Sequence, residues 1–476
     1  MTLTTHPQHL SRSRDALAVV ELFLDVFQRD LLSFFPLSQF ERISSELALE
    51  EFPVRPTPDF HLLDDPENGG ESLEVVIFGI RHVLTPRPGA RFTLHDQQMV
   101  RALGAVLSLR FHHLFHFTRT SRLELFRGGS EDHYIAAFID PTAYAIHTAS
   151  PSRIAFAIQT LRTASLSTYE NRRVSTGALL LGPNDDPDHP LPPTSPDALT
   201  YGVELTSLKS LHRLCDGKRT LFLVDREGKL ADIIDVKHWV SSIPKVLELD
   251  TPCARAYTAH AQATRSHGHV CVVLSPNQEI KLFAGGIQVF AFAHGRWRIL
   301  DPAGKFAVWQ AAIAHPKLAR TIFQTALDMA EARQGGLFVV VNDPPSALGR
   351  LIAPQDYLDQ EPSPTDAPPT ELAPGDPLAK RALHYLARSR DVTELSPTLL
   401  EALSGLDGAV VTDRSGRLIA FGAILRHDTM SQPTQVAVEG ARTTAALVAS
   451  RFGPVLKISE DGLISCFLNG AKVWDL

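Results

Sequence analysis

Three short stretches near the C-terminus of this 476-residue chain carry residue types that bind phosphate and metal. Asp407-Gly408-Ala409 stands at the threshold of an apolar run. A carboxylate that can hold a divalent cation is thus set beside two residues with little or no side chain, where a ligand can approach the backbone. Gly440-Ala441-Arg442-Thr443-Thr444 opens a helical pattern that continues through Ala445, Ala446, Leu447 and Val448. Unpaired backbone N–H groups and the helix dipole at such a start favour an anion, and Arg442 with two hydroxyls adds charge-assisted donors. Ser459-Glu460-Asp461-Gly462 then turns between two apolar runs and offers two more carboxylates, of which Asp461 could share a metal with Asp407. Taken singly, each stretch has an ordinary reading: a turn, a capped helix, a solvated hairpin. Their succession within one segment points to a nucleotide phosphate site.

Those residues need elements to position them. ARTIFQTALDMAEARQGGLFVVVND reads as a helix that stops at Gly335-Gly336 and feeds an apolar strand, Leu337 to Val341. Ser396 can cap a helix with Pro397 at its first position, and that helix, TLLEALSG, delivers the chain to Asp407. The strands VVT and RLIAFGAIL are joined by the turn DRSG. The hairpin itself is uninformative, because TLFLVDREGKLADII elsewhere in the chain has the same turn chemistry without the Asp-Gly-Ala prefix. Finally PVLKIS and LISCFL flank the Glu460-Asp461-Gly462 turn.

On these motifs, residues 316 to 476 resemble the diadenylate cyclase domain of the DisA and CdaA type. The shared features include the opening helix with its Gly-Gly strand and the helix before Asp-Gly-Ala. The resemblance implies an α/β fold, a mixed β-sheet flanked by helices, and a reaction in which two ATP molecules are condensed to cyclic di-AMP with release of pyrophosphate. It implies that Asp407, Arg442 and Glu460 are catalytic and that Asp407, assisted by Asp461, binds Mg²⁺ or Mn²⁺. It further implies that Gly408, Ala409, Gly440, Arg442, Thr443, Thr444 and Ser459 line the nucleotide. Each ATP would be held by one domain, so the partners implied are ATP and a second copy of the chain, in a homodimer with its cyclase domains face to face. The chain departs from the family at Arg442-Thr443-Thr444, where Arg-His-Arg is usual, at Leu406, where His is common, and in the shortened Ser459-Glu460-Asp461-Gly462 turn. A receptor that binds ATP or a cyclic dinucleotide in the same pocket without turnover is the alternative reading.

The remainder, residues 1 to 312, reads as a mixed α/β region, with a Pro- and Asp-rich loop at 183 to 198 that could separate two subdomains. It loosely resembles the sensor regions that precede some cyclases of this type. HVCVVLSPNQEIKLFAGGIQVFAFAHGRWRILD predicts a three-stranded meander with turns at Pro276-Asn277 and Gly295-Arg296. His95 to about Phe117 predicts a helix burying Val100, Leu103, Leu107 and Leu114. His112 and His116 are spaced as helix ligands for a metal, but no third ligand accompanies them and the pair reads as a helix end. A second Pro-rich excursion is expected over 344 to 377, followed by a helix around Lys380 to Ala387.

Composition sets outer bounds. With 44% hydrophobic and 21% charged residues the chain has ordinary globular usage. A net charge of -7 argues against a nucleic-acid coat. The four cysteines have neither zinc-knuckle nor disulfide spacing, which suits a reducing cytoplasm. Acidic residues through the N-terminal apolar stretch favour an amphipathic helix over a signal peptide or membrane span.

Overall fold

A computed structural model describes residues 7–43, 60–63, 71–115, 123–145, 152–184, 197–207, 214–242, 248–358, 390–426 and 440–476, with 186, 189 and 195. Most of the 183–198 loop, much of the 344–377 excursion and the helix expected around Lys380 to Ala387 lie outside them. The protein is a mixed α/β chain with sheets of four, seven and six strands. It divides into two compact units, Met1–Leu247 with Ala259–Leu300, and Glu248–Thr258 with Asp301–Leu476. Among the described residues no helix is long and apolar enough to cross a membrane.

In the first unit, Leu94–Phe115 forms the expected helix. Val100, Leu103 and Leu107 are buried as the spacing requires, whereas Leu114 is exposed because the last turn runs past the core. His116 lies outside the described residues. The expected three-stranded meander has four strands: Val270–Leu274, Ile280–Ala284, Ile287–Ala293 and Arg296–Ile299. The additional turn is at Gly285-Gly286, where both residues take positive φ (60° and 82°) and fold one long apolar run into a hairpin. Thr220–Val224 and Leu230–Asp235 pair antiparallel across Asp225-Arg226-Glu227-Gly228. The turn is held by the Asp225 carboxylate, which accepts from Glu227 N and Lys229 N at 3.0 and 2.7 Å.

The second unit is built around one strand. Gly336–Val341 is buried along its whole length and lies third in the six-stranded sheet. It runs parallel to Ala409–Asp413 and antiparallel to Val455–Ile458. Leu418–Ala423 forms one edge, and Ile464–Leu468 with Ala471–Asp475 extends the other. A fully apolar strand is the form expected where both faces are covered by helices. Pro316–Glu331 starts with His315 accepting from Leu318 N at 3.1 Å and buries Leu318, Ile322, Phe323, Ala326 and Met329 on one stripe. Pro397–Ser404 starts at Ser396, whose hydroxyl accepts from Leu399 N at 3.3 Å, with Pro397 at the first position as the sequence predicts.

Segment Glu248–Thr258 belongs to this second unit although the chain on both sides of it belongs to the first. Arg320 donates to the carbonyls of Leu249 (2.5 Å) and Asp250 (3.3 Å), and Tyr257 donates to Glu331 at 3.0 Å. The Arg255 guanidinium bridges Asp328 on the first helix and Glu401 on the second, the latter at 2.8 Å. Burial, with Glu401 as a neighbouring negative charge, raises the Asp328 carboxyl to about 6.

His260 in the first unit supplies a pH-dependent stability. Its ring is fully buried, and Nε2 donates to the Gly217 carbonyl at 3.0 Å. Burial lowers its pKa from 6.5 to about 4. The unfolded chain therefore takes up a proton that the folded chain refuses, and stability present above pH 6.5 is lost as the pH falls toward about 4, by about 3 kcal/mol. Unfolding free energy measured against pH should show this acid slope in the wild type and a flatter profile in His260→Gln.

Candidate nucleotide site

The start of the central strand is where the sequence-predicted residues gather. Gly336 pairs with Ile458, and Phe338 pairs with Val410, a register that sets Gly408 beside Gly336. Asp407 and Ser459 thus leave the sheet at the same end, one on either side of the central strand, about 10 Å apart by two strand spacings. The helix Ala441–Ala449 packs against the central strand and Val455–Ile458, and it brings Arg442 to this end.

Glycine permits a close approach at this point. A Cβ at Gly335 would lie 2.2 Å from an Arg442 guanidinium nitrogen and 3.3 Å from Glu460 Cγ, so the guanidinium lies over the bare backbone. Arg442 and Glu460 approach to 3.4 Å, with side chains 44% and 75% exposed, a loose pair that leaves donors of Arg442 open to solvent. Gly408 has φ 110°, and a Cβ there would meet the Gly422 carbonyl carbon at 2.5 Å. The glycine therefore lets the Asp407 corner close against the edge strand. Ala409 is buried in the core beneath it.

The helix start and the hairpin turn stand at this end as well. Gly440, φ 79°, precedes the helix as its N-cap, and Thr443 N and Thr444 N turn back to the Gly440 carbonyl at 3.1 and 3.3 Å. The Thr444 hydroxyl also reaches that carbonyl at 3.5 Å. Ser459 to Gly462 form a tight turn, Gly462 N donating to Ser459 O at 2.9 Å.

The carboxylates differ in availability. Asp407 is exposed, and no hydrogen bond or ion pair engages it among the described residues. Asp461 accepts from Leu463 N at 3.3 Å and so partly caps its own turn. Among the described residues no group of three or more His, Cys, Asp and Glu side chains forms a metal cluster. Asp407 fits a cation whose remaining ligands come from a phosphate, which is how Mg²⁺ is commonly bound.

Two residues of this end are not singled out by the motifs. Lys457 donates to the Thr443 hydroxyl at 3.0 Å. Its signal in the sequence is a lone charge in the apolar strand PVLKIS. Arg333 takes φ 56° just before Gly335, with its guanidinium over Gly462, where a Cβ would lie 2.6 Å away. Scans against protein-family models find no match to this chain, and a search of curated proteins finds none.

The two glycines should fail differently when replaced. Gly408→Ala meets fixed backbone at positive φ and should lower unfolding free energy by about 2 kcal/mol or more. Gly335→Ala meets the mobile end of Arg442 and should leave the melting temperature near wild type.

Proposed function

We propose that this protein is a nucleotidyltransferase of the diadenylate cyclase type, condensing two ATP into cyclic di-AMP and pyrophosphate. The observation that carries the reading is that Asp407, a carboxylate with no partner among the described residues, and Arg442, a guanidinium lying over Gly335, stand at the same end of one sheet. Phosphoryl transfer asks for charge and in-line placement more than for covalent catalysis, and the charge at this end of the sheet supports the reading. Arg442, the hydroxyls of Thr443 and Thr444, and the N–H groups of Ala441 and Arg442 would hold the phosphates. Glu460 keeps the guanidinium over Gly335, and Ser459 adds a polar wall.

Asp407 would hold a Mg²⁺ or Mn²⁺ that neutralises developing phosphate charge when bound, and Asp461, on the turn across the central strand, is the second carboxylate of this end of the sheet. The 3′-oxygen of one ATP bonds to the α-phosphorus of the other, the α–β bridging bond breaks, and pyrophosphate leaves. The product needs this exchange in both directions, so two chains must present their pockets to each other, at least transiently. Residues 1 to 312 would set how the two cyclase domains meet.

Incubation of the purified protein with ATP and Mn²⁺, followed by mass spectrometry, should yield cyclic di-AMP, and Asp407→Asn should reduce the yield at least about a hundredfold. Product that persists in Asp407→Asn removes the assigned metal role. ATP binding with no product in the wild type would make the pocket a receptor instead of an active site.

A further inference from the structure

We propose that Lys457 is a second phosphate-binding cation of this pocket, an assignment that rests on the nucleotide reading above. Lys457 lies on Val455–Ile458 and is half-buried, yet no ion pair engages its ammonium among the described residues. Its partner is a neutral oxygen, the Thr443 hydroxyl at 3.0 Å. A half-buried ammonium whose partner is a hydroxyl retains donors for an anionic ligand. The cross-strand row that contains Leu337, Lys457 and Ser465 continues to Asp475, but that carboxylate is held by Ser465 at 2.7 Å and by Lys472 at 2.9 Å.

The position compounds the imbalance. Thr443 is in the first turn of Ala441–Ala449, a turn with no acidic residue, and Arg442 precedes it. Two cations therefore stand at the positive pole of a helix, the end at which carboxylates are the stabilising choice. Among the described residues, the acidic side chain paired with these cations is exposed Glu460, on Arg442 and loosely. An anion carrying more than one negative charge balances both cations and the helix pole together, which selects the polyphosphate of a nucleotide over a single carboxylate. Lys457 would grip one phosphate from the sheet side while Arg442 grips from the strand-start side, and the Thr443 hydroxyl orients the ammonium between them.

Isothermal titration of the full chain with ATP, and separately with inorganic tripolyphosphate, in the presence of Mn²⁺ tests this. Lys457→Gln should weaken both ligands by about tenfold with an unchanged melting temperature, and Lys457→Arg should recover most of the loss. Thr443→Val, which removes the orienting hydroxyl, should weaken ATP by a smaller factor and provides the readout should Lys457→Gln fail to fold. Equal ATP affinity across wild type and variants overturns the role of Lys457 and leaves the pocket intact. A wild-type chain that binds neither ATP nor tripolyphosphate removes the pocket, and the Lys457 assignment with it.

Discussion

The second unit depends on how closely other groups approach the first residues of its central strand. Gly335 and Gly336 carry no Cβ, and each is occupied from outside. The Arg442 guanidinium sits over Gly335, while the Met329 side chain and the Ser404 carbonyl crowd Gly336. Helix Pro316–Glu331, helix Pro397–Ser404 and helix Ala441–Ala449 thereby reach the same end of the sheet. A methyl at Gly336 would come 2.5 Å from Met329 and 3.0 Å from Ser404 O, so the helices could not converge there. The packing requirement and the chemical one coincide: the bare backbone that lets helices close also lets a cation stand beside a strand terminus.

The charge at that end follows from which residues can pair and which cannot. Asp407 is left open to solvent by its position at a strand threshold. Arg442 has a loose partner, and Lys457 has a hydroxyl. Elsewhere in the same unit charged groups have close partners, as where Arg255 serves both Asp328 and Glu401. The contrast between that paired clasp and the loosely paired sheet end favours reading the latter as a candidate ligand site. The clasp ties the helix that ends before Asp407 to Glu248–Thr258 within the second unit.

Two aspartates show why turn chemistry by itself did not mark the site. Asp413 accepts from Ser415 N at 2.9 Å and Arg417 N at 3.1 Å, while Asp225 in the first unit does the same for Glu227 and Lys229. Both are turn-holding carboxylates on their own backbone. Asp407, six residues before Asp413, has no such commitment among the described residues, and its distinction is visible only once the neighbours are in place.

Much of the fold was legible in the sequence, because local chemistry fixes it. Ser396-Pro397 caps a helix, apolar periodicity selects the buried stripe, and Gly335-Gly336 ends one element and begins another. Legibility failed where a glycine pair or a chain end overruled periodicity, as at Gly285-Gly286 and at exposed Leu114. Of the candidate site, the sequence by itself determined which residue types were on offer: a carboxylate before a strand, a guanidinium and hydroxyls at a helix start. Only the tertiary structure decided that they share one end of a sheet, and that Lys457 joins them. Strand order and register are set by long-range pairing, and residues far apart in the chain acquire a common address only when the central strand is flanked by Ala409–Asp413 on one side and Val455–Ile458 on the other.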